Sequence, residues 1–499
     1  MHFEHLMEQL TYEKVQGNCN LEITGICYDS RKVKPGYLFV CISGQHTDGH
    51  DYILEVARRG AVAVVVERRI LPCGLTVVLV RDTRAALARL SAAYFDYPAK
   101  KLRMIGITGT KGKTTTAFFL AAILQKAGYR TGMMGTVWID TGKEQIPSGH
   151  TTPEAYEVQY YLSQMVENGC DCCVMEVSSQ GLKMQRVAEI QYEIGIFLNI
   201  GLDHIGAGEH STFAEYLSCK RRLFSQCELG IVNCDDPNLE RILYGHSCRL
   251  ETFSMRYPAG VTAREEHFSM RKGSLFASFL IQVKSMQGIC AAEKFQVGIP
   301  FPGRFNISNA LAAAAAALHL GIRPKQIAQG LRNARVPGRC ENVSPFPQYV
   351  VLVDYAHNEM SLKNLLMTLR EFHPKRLIVL FGCGGNRSKY RRYRMGETAG
   401  RLADVTVLTS DNPRWEDPEK IIDDIEAGIA PTGGEYVRIC DRREAVFFAL
   451  RMAREGDLIV LAGKGHESYQ EIRGRQYEMG EKDLVKNALK RIKKEQIMT

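Results

Sequence analysis

The sequence predicts an α/β protein of three domains: a central one with a phosphate-binding loop on a parallel sheet, and a C-terminal one of Rossmann-like form. Three observations carry that prediction. Short apolar runs alternate with helical stretches along most of the chain. GITGTKGKTTT, Gly106 to Thr116, lies between an apolar lead, LRMI, and a helix-like stretch, AFFLAAILQKAG. Four later runs, YVVLVDYAH, RLIVLFGCGG, VTVLTSDNPR and DLIVLAGKGHE, each end in a polar, Gly-rich or charged tip. Apolar strands alternating with helices argue for parallel sheets that present ligand-binding groups at the strands' carboxyl ends.

At 499 residues the chain is too long for one ordinary core, and we place domains at 1–101, 102–335 and 336–499. In the first, TGICYDSRKVKPGYLFVCISG reads as two short strands around a Pro-Gly turn. AVAVVVE and TVVLVRD read as buried strands, and YILEVARRG as a helix ended by Gly. In the second, LRMIGIT, DCCVMEVSS, IGIFLNIG and ELGIVNCDD are strands. Residues 250 to 300 change character and suggest an antiparallel insert. LAAAAAALHL is a buried Ala-rich helix, and the Pro-Gly connector VPGRCENV leads into the third domain.

Ten apolar residues cannot span a bilayer. MHFEHLMEQL has no basic cluster ahead of an apolar core, so no secretory signal is read. Fifteen Cys without a repeated C-x-x-C spacing indicate buried free thiols in a reducing cytosol, and neither a disulfide frame nor a zinc site. We therefore expect a cytoplasmic, membrane-free monomer. The net charge of +9 favours anionic partners. RSKYRRYR, Arg387 to Arg394, interleaves Tyr with basic residues, yet no nucleic-acid-binding signature accompanies it. An anionic small substrate is the preferred reading over nucleic acid or a solvated face.

Strict Walker A spacing asks for Gly where Ile107 stands, but the physics of the loop survives. Small residues let backbone N–H groups converge at a helix N-terminus. Lys113 reaches β/γ-phosphates and the Thr114 hydroxyl suits magnesium. Glu176 and His204 follow apolar strands, where groups serving a metal are useful. Lys220 lies in an amphipathic helix, where an ordinary lysine is solvated. In the third domain Asp354 and His357, Arg387, the group Asp411, Asn412 and Arg414, and the pair Gly463 and Glu467 each follow a strand. An Arg and a Glu converging from separate tips suit the carboxylate and ammonium of an amino acid.

GTKGKTTT, HTTPE, MEVSSQGL, NIGLDH, RFNISNALAA, VPGR, DYAH, GCGG, DNPR and AGKGHE occur in the order found in the Mur ligases, which the chain resembles over essentially its whole length. The resemblance implies that family's three-domain architecture: a UDP-sugar domain, a central P-loop ATPase and a C-terminal domain that brings the incoming amino acid. It implies ATP and magnesium as cofactors and UDP-muramoyl-dipeptide as substrate. Ser30 and Arg31, with the GQHTDGH loop, would lie near the UDP end. Thr151, Thr152, Ser178 and Arg186 would hold the muramoyl-dipeptide. Gly109, Thr110, Lys111, Gly112, Lys113, Thr114 and Thr115 would cradle ATP, with Asn309 on its adenine side and Arg339 and Asp354 beside it. Thr114, Glu176 and His204 would serve magnesium, together with Lys220 as a carbamate. DNPR points to diaminopimelate, gripped by Arg387, Asp411, Asn412, Arg414, Gly463 and Glu467. A relative adding lysine or another amino acid is the alternative, with a nucleic-acid-stimulated P-loop ATPase further off. The chain also differs from the family's usual text, with Lys111 for Asn, Met184 for Gln, and Asn358 and Glu359 after YAH.

Overall fold

In the computed structural model the described residues are 1–44, 47–71, 74–203, 205–206, 209–271, 273–284, 292–344 and 347–498. They separate into two compact units. The first comprises Met1–Thr262, Val283–Ala292 and Leu311–Gly330; the second comprises Ala263–Gln282, Glu293–Ala310 and Leu331–Thr499.

The first unit opens on a five-stranded sheet of Lys14–Gln16 (β1), Gly25–Cys27 (β2), Tyr37–Val40 (β3), Ala63–Val66 (β4) and Thr76–Leu79 (β5), in the order β1-β5-β4-β3-β2. β2 and β3, expected around a Pro-Gly turn, are parallel neighbours, so no hairpin joins them. A 3-10 turn, Ser30–Lys32, helps carry the chain back between them, because a parallel pair needs a crossover. Apolar clusters cover both faces of this sheet.

The second sheet of this unit contains Arg103–Thr108 (β6), Thr131–Met134 (β7), Trp138–Asp140 (β8), Gln145–Pro147 (β9), Cys172–Glu176 (β10), Tyr192–Phe197 (β11), Cys227–Asn233 (β12) and Arg249–Ser254 (β13). Its order runs β13-β12-β11-β6-β10-β7-β8-β9. All pairings from β13 to β7 are parallel, and β8 and β9 add an antiparallel edge. β6 lies between β10 and β11, strands that follow it much later in the chain. Its carboxyl end therefore opens between two strand tips, where open α/β sheets bind ligands. The two sheets' domains are tied by the Tyr28 hydroxyl donating to Glu157 Oε1 at 2.8 Å and by Arg89 to Glu189 at 3.1 Å. Burial there raises both the Glu157 carboxyl and the Tyr28 phenol.

The second unit carries most of the insert, Val261–Arg271 (β14), Ser274–Val283 (β15) and Glu293–Ile299 (β16), which pair in the order β16-β15-β14. Its main sheet is formed by Glu341–Asn342 (β17), Val350–Asp354 (β18), Leu377–Phe381 (β19), Val405–Leu408 (β20), Glu435–Arg438 (β21) and Leu458–Ala462 (β22), in the order β17-β18-β22-β19-β20-β21. All pairings except β17–β18 are parallel. β19 and β22 are buried at every position, hence their unbroken apolar text. A small hairpin, Tyr469–Ile472 (β23) and Arg475–Glu478 (β24), follows the last tip.

Beneath the tips of β20 and β22 the Arg442 side chain is fully buried. It donates to Glu481 Oε1 at 2.7 Å and to the carbonyls of Ser410 and Ala462, both at 3.1 Å. RSKYRRYR enters the helix Lys389–Leu402, where Arg392 is buried and Arg394 half-buried. Arg392 pairs with Glu416 at 2.8 Å and Asp424 at 2.9 Å, and Arg394 pairs with Glu359 and Glu397. That basic run is thus partly neutralised within the fold, and Glu359, one of the departures from the family text, has a structural partner.

Candidate functional site

β6 leads directly into the Gly109–Gly112 loop, and the helix Lys113–Lys126 begins at Gly112. Gly112 has a φ of 90°, a left-handed conformation that side chains disfavour. The first N–H groups of that helix face the loop, a natural anion site. Lys113 Nζ donates to the Gly109 carbonyl at 2.8 Å. Thr110 is fixed by the Tyr216 hydroxyl at 2.8 Å and by the Gly201 N–H at 3.0 Å. Asn199 brackets Lys111 through the latter's N–H and carbonyl, at 3.0 and 3.1 Å. The Lys111 ammonium pairs with Asp203 at 2.9 Å, so its extra charge has a counter-ion.

The carboxylate of Glu176, at the end of β10, is almost wholly buried and accepts three hydrogen bonds. The Thr114 hydroxyl donates at 2.9 Å, the Thr136 hydroxyl at 3.1 Å and the Thr136 N–H at 2.8 Å. Hydroxyl and carboxylate oxygens at the mouth of a phosphate cradle suit a hard cation such as magnesium. Thr136 belongs to no motif and was missed in the sequence; it also meets Thr151 at 3.0 Å. Thr152 bonds to the Glu176 carbonyl and to Ser178, and Arg186 donates to the Thr152 carbonyl at 2.9 Å and to Glu154 at 3.2 Å. Thr151, Thr152, Ser178 and Arg186 therefore form one polar chain running from Glu176. Thr115 is buried on the first turn of the helix.

Lys220 contradicts the solvated reading of a helical lysine. It is 1% exposed, and its Nζ donates to the Gly109 carbonyl at 2.9 Å. Burial, reinforced by Lys113, holds its amine well below the usual lysine range. Among the described residues no carboxylate forms an ion pair with it. A buried neutral amine is a nucleophile toward an electrophile that reaches it. His204 lies outside the described residues, as do Gln45 and His46 of the GQHTDGH loop. His210, which the sequence reading passed over, is fully buried with Nε2 2.9 Å from Ser179 Oγ.

Ser30 and Arg31 lie in the 3-10 turn capped by Asp29. Arg31 is mostly exposed and pairs with Asp29 at 2.8 Å, holding that carboxyl below its usual range. His50 Nδ1 is 2.6 Å from Asp48, and its Nε2 accepts from the Glu67 N–H at 3.2 Å, which fixes the proton on Nδ1.

In the second unit Asp354 ends β18 and accepts from the N–H groups of Cys340 and Ala356, at 2.7 and 2.8 Å. Burial raises its carboxyl, against the pull of Arg339. The Arg339 guanidinium lies 4.4 Å from the centre of the Tyr355 ring. Gly338 packs directly on the backbone at His466 with a φ of 64°, which explains the Pro-Gly connector. Asn309 donates to Asn306 at 3.3 Å.

His466 also stacks on Tyr355, at 5.2 Å. Burial, then the charge of Arg339, lowers its imidazole to about 4. The folded state thus binds fewer protons than the unfolded one between pH ~6.5 and ~4. The stability this confers is present above pH ~6.5 and is lost as pH falls through that window. Unfolding free energies from urea titrations at pH 7 and 5 should therefore converge in His466→Gln, by about 1 kcal/mol after allowance for partial exposure. An unchanged slope would contradict the assignment.

Asp411, Asn412, Arg414, Gly463 and Glu467 come together at the tips of β20 and β22. Asp411 Oδ2 is the nearest group facing Gly463, and Asn412 Nδ2 donates to Glu467 Oε2 at 2.9 Å. Arg414 is half-buried, with Nε on Glu471 at 3.0 Å and Nη1 on the Gly385 carbonyl at 2.8 Å. It is not the surface arginine of a simple turn; Glu471, on β23, carried no sequence signal. Arg387 remains exposed in the loop before the helix Lys389–Leu402. The arrangement offers a cradle for phosphates, a buried oxygen set for a cation, and a strand-tip cluster of both charges.

Three family models match the chain: "Mur ligase family, catalytic domain" over residues 22–95, "Mur ligase middle domain" over 107–317 and "Mur ligase, glutamate ligase domain" over 338–465. The chain is 40% identical to the UDP-N-acetylmuramoyl-L-alanyl-D-glutamate--2,6-diaminopimelate ligase of Caldanaerobacter subterraneus subsp. tengcongensis, over 98% of this chain and 99% of that one. It is 39% identical to the ligase of the same name from Clostridium perfringens, with the same coverage. A solved structure of a protein of that name aligns with a TM-score of 0.70 and 29% identity, covering 98% of this chain and 99% of the other. Among the described residues no helix is long and apolar enough to cross a membrane.

Proposed function

The chain belongs to the Mur ligase family, and on that premise we propose that it joins diaminopimelate to the D-glutamate of UDP-N-acetylmuramoyl-L-alanyl-D-glutamate, at the expense of ATP, in peptidoglycan precursor synthesis. The observation that carries the reading is the strand-tip cluster that gathers Arg414, held by Glu471, and Glu467, held by Asn412, as groups of both charges. Arg414 is a partner for the second carboxylate that diaminopimelate carries and lysine lacks. We place the domain bounds at 1–101, 102–335 and 336–499, each holding one of the three matched segments. The cytoplasm, where nucleotide sugars and ATP occur together, is the compartment we assign.

The chemistry follows from the residues. A D-glutamate carboxylate oxygen attacks the γ-phosphorus of ATP, the bond to the β-phosphate oxygen breaks, and ADP leaves with that electron pair. The N–H groups at the start of the helix Lys113–Lys126 and the Lys113 ammonium offset charge on the transferring group. The amine of diaminopimelate then attacks the acyl carbon. The tetrahedral intermediate loses a proton and expels phosphate, leaving an amide. Thr114 and Glu176, with His204, would hold magnesium, which when bound supplies charge neutralisation on the phosphates. Lys220 would act as a carbamate: its neutral amine adds CO2 and loses a proton, which leaves an anion against the phosphate loop. Thr151, Thr152, Ser178 and Arg186 would orient the muramoyl-dipeptide, and Arg387, Asp411, Asn412 and Gly463 the amino acid. No protein nucleophile is needed; positioning and charge stabilisation do the catalysis.

The test is phosphate release with ATP, magnesium and UDP-muramoyl-dipeptide across an amino-acid panel, with the product weighed by mass spectrometry. Diaminopimelate should give a tripeptide product. Arg414→Ala should lose at least about a hundredfold in kcat/KM for it while ATP binding is kept. Turnover with lysine in its place would refute the substrate assignment.

A further inference from the structure

A lysine that the functional reading leaves unused lies within the strand-tip cluster. Lys464 is fully buried, on the turn after β22, with its Nζ 3.1 Å from Asn412 Oδ1 and 3.4 Å from Glu467 Oε2. The Glu471 N–H donates to the same Asn412 Oδ1 at 3.0 Å. Two donors on one side fix the amide orientation, so Asn412 Nδ2 faces Glu467 Oε2, at 2.9 Å. Glu467 Oε2 is thus engaged from within the protein by Lys464 and Asn412. Among the described residues Oε1 has only the long contact from the Tyr355 hydroxyl, at 3.3 Å.

We propose that Lys464 is the positioning residue of the amino-acid pocket: by engaging Asn412 Oδ1 and Glu467 Oε2, it leaves Glu467 Oε1 to receive the ammonium of the incoming amino acid. Without it, among the described residues, Asn412 Oδ1 keeps only the Glu471 N–H, and Glu467 Oε2 keeps only the Asn412 amide, so the carboxylate is held less firmly about its stem. The acceptor for the ammonium is then poorly aimed while the phosphate cradle, built on other strands, is untouched. The inference rests on the amino-acid-ligase reading above, and the test separates the two.

The experiment is steady-state kinetics of the full-length protein with diaminopimelate as varied substrate. Lys464→Met should raise KM for diaminopimelate about tenfold or more, with kcat and KM for ATP within about threefold. Lys464→Gln keeps a donor for Asn412 and should recover part of that loss; if the Met variant does not fold, the Gln variant carries the test, with a smaller rise in KM. In a Glu467→Gln background, Lys464→Met should add less than about twofold, because both act on one acceptor. An unchanged KM for diaminopimelate, or losses that multiply in the double variant, would overturn the proposal. So would a parallel change in KM for ATP with a lowered melting temperature, the mark of a merely structural role. Wild-type protein that uses a different amino acid would refute the substrate reading instead, and the same variants then test Lys464 on that amino acid.

Discussion

Lys220→Ala should lower amide formation by about a thousandfold, with ATP binding largely retained. Lys220 has no ion-pair partner among the described residues, and its Nζ meets the Gly109 carbonyl from inside the fold. A bare ammonium there would be doubly unfavourable: it is desolvated, and it stands close enough to Lys113 for their charges to oppose. Conversion to a carbamate removes that conflict and places an anion against the Gly109 turn of the phosphate loop. Two readouts distinguish this from simple shaping of the loop. Wild-type activity should fall in rigorously CO2-depleted buffer and return on addition of bicarbonate, whereas Lys220→Ala should not respond. Full wild-type activity after exhaustive CO2 removal would contradict the carbamate.

Arg442→Met should cost about 3–5 kcal/mol in the unfolding of the C-terminal unit, because it strands a buried carboxylate. The Arg442 and Glu481 side chains are 0% and 1% exposed, and Glu481 Oε2 has no hydrogen-bond partner among the described residues. The same guanidinium holds the Ser410 and Ala462 carbonyls, the last residues before the loops that carry Asp411 and Gly463. The double variant Arg442→Met, Glu481→Met should be less destabilised than the single one, since no charge is then left without its partner. Urea denaturation followed by tryptophan fluorescence and circular dichroism gives both values. A single-variant loss below about 1 kcal/mol would show that the pair is dispensable.

The strands were legible because parallel strands buried on both faces leave unbroken apolar text, as in LIVLF and LIVLA. The phosphate loop was legible because its small residues and following Lys-Thr are local in sequence. What escaped depends on partners distant in the chain. Lys220 reads as a surface lysine until its helix is packed against the Gly109 loop, more than a hundred residues earlier. Arg392 reads as part of a basic surface until Glu416 and Asp424 close on it. Thr136, Glu471 and Lys464 gain meaning only from the carboxylates and amides they meet. The parallel pairing of β2 and β3 was hidden for a related reason: a Pro-Gly turn suggests a local reversal, while pairing direction is decided by the path of the whole crossover.

On the proposed mechanism the γ-phosphate of ATP passes to a carboxylate of the muramoyl-dipeptide before the amide forms. The most direct measurement uses UDP-muramoyl-dipeptide with its D-glutamate carboxylates labelled with oxygen-18, and reads the released phosphate by mass. Transfer through an acyl phosphate predicts one labelled oxygen in each phosphate formed together with tripeptide product. Unlabelled phosphate accompanying the same amide product would contradict it.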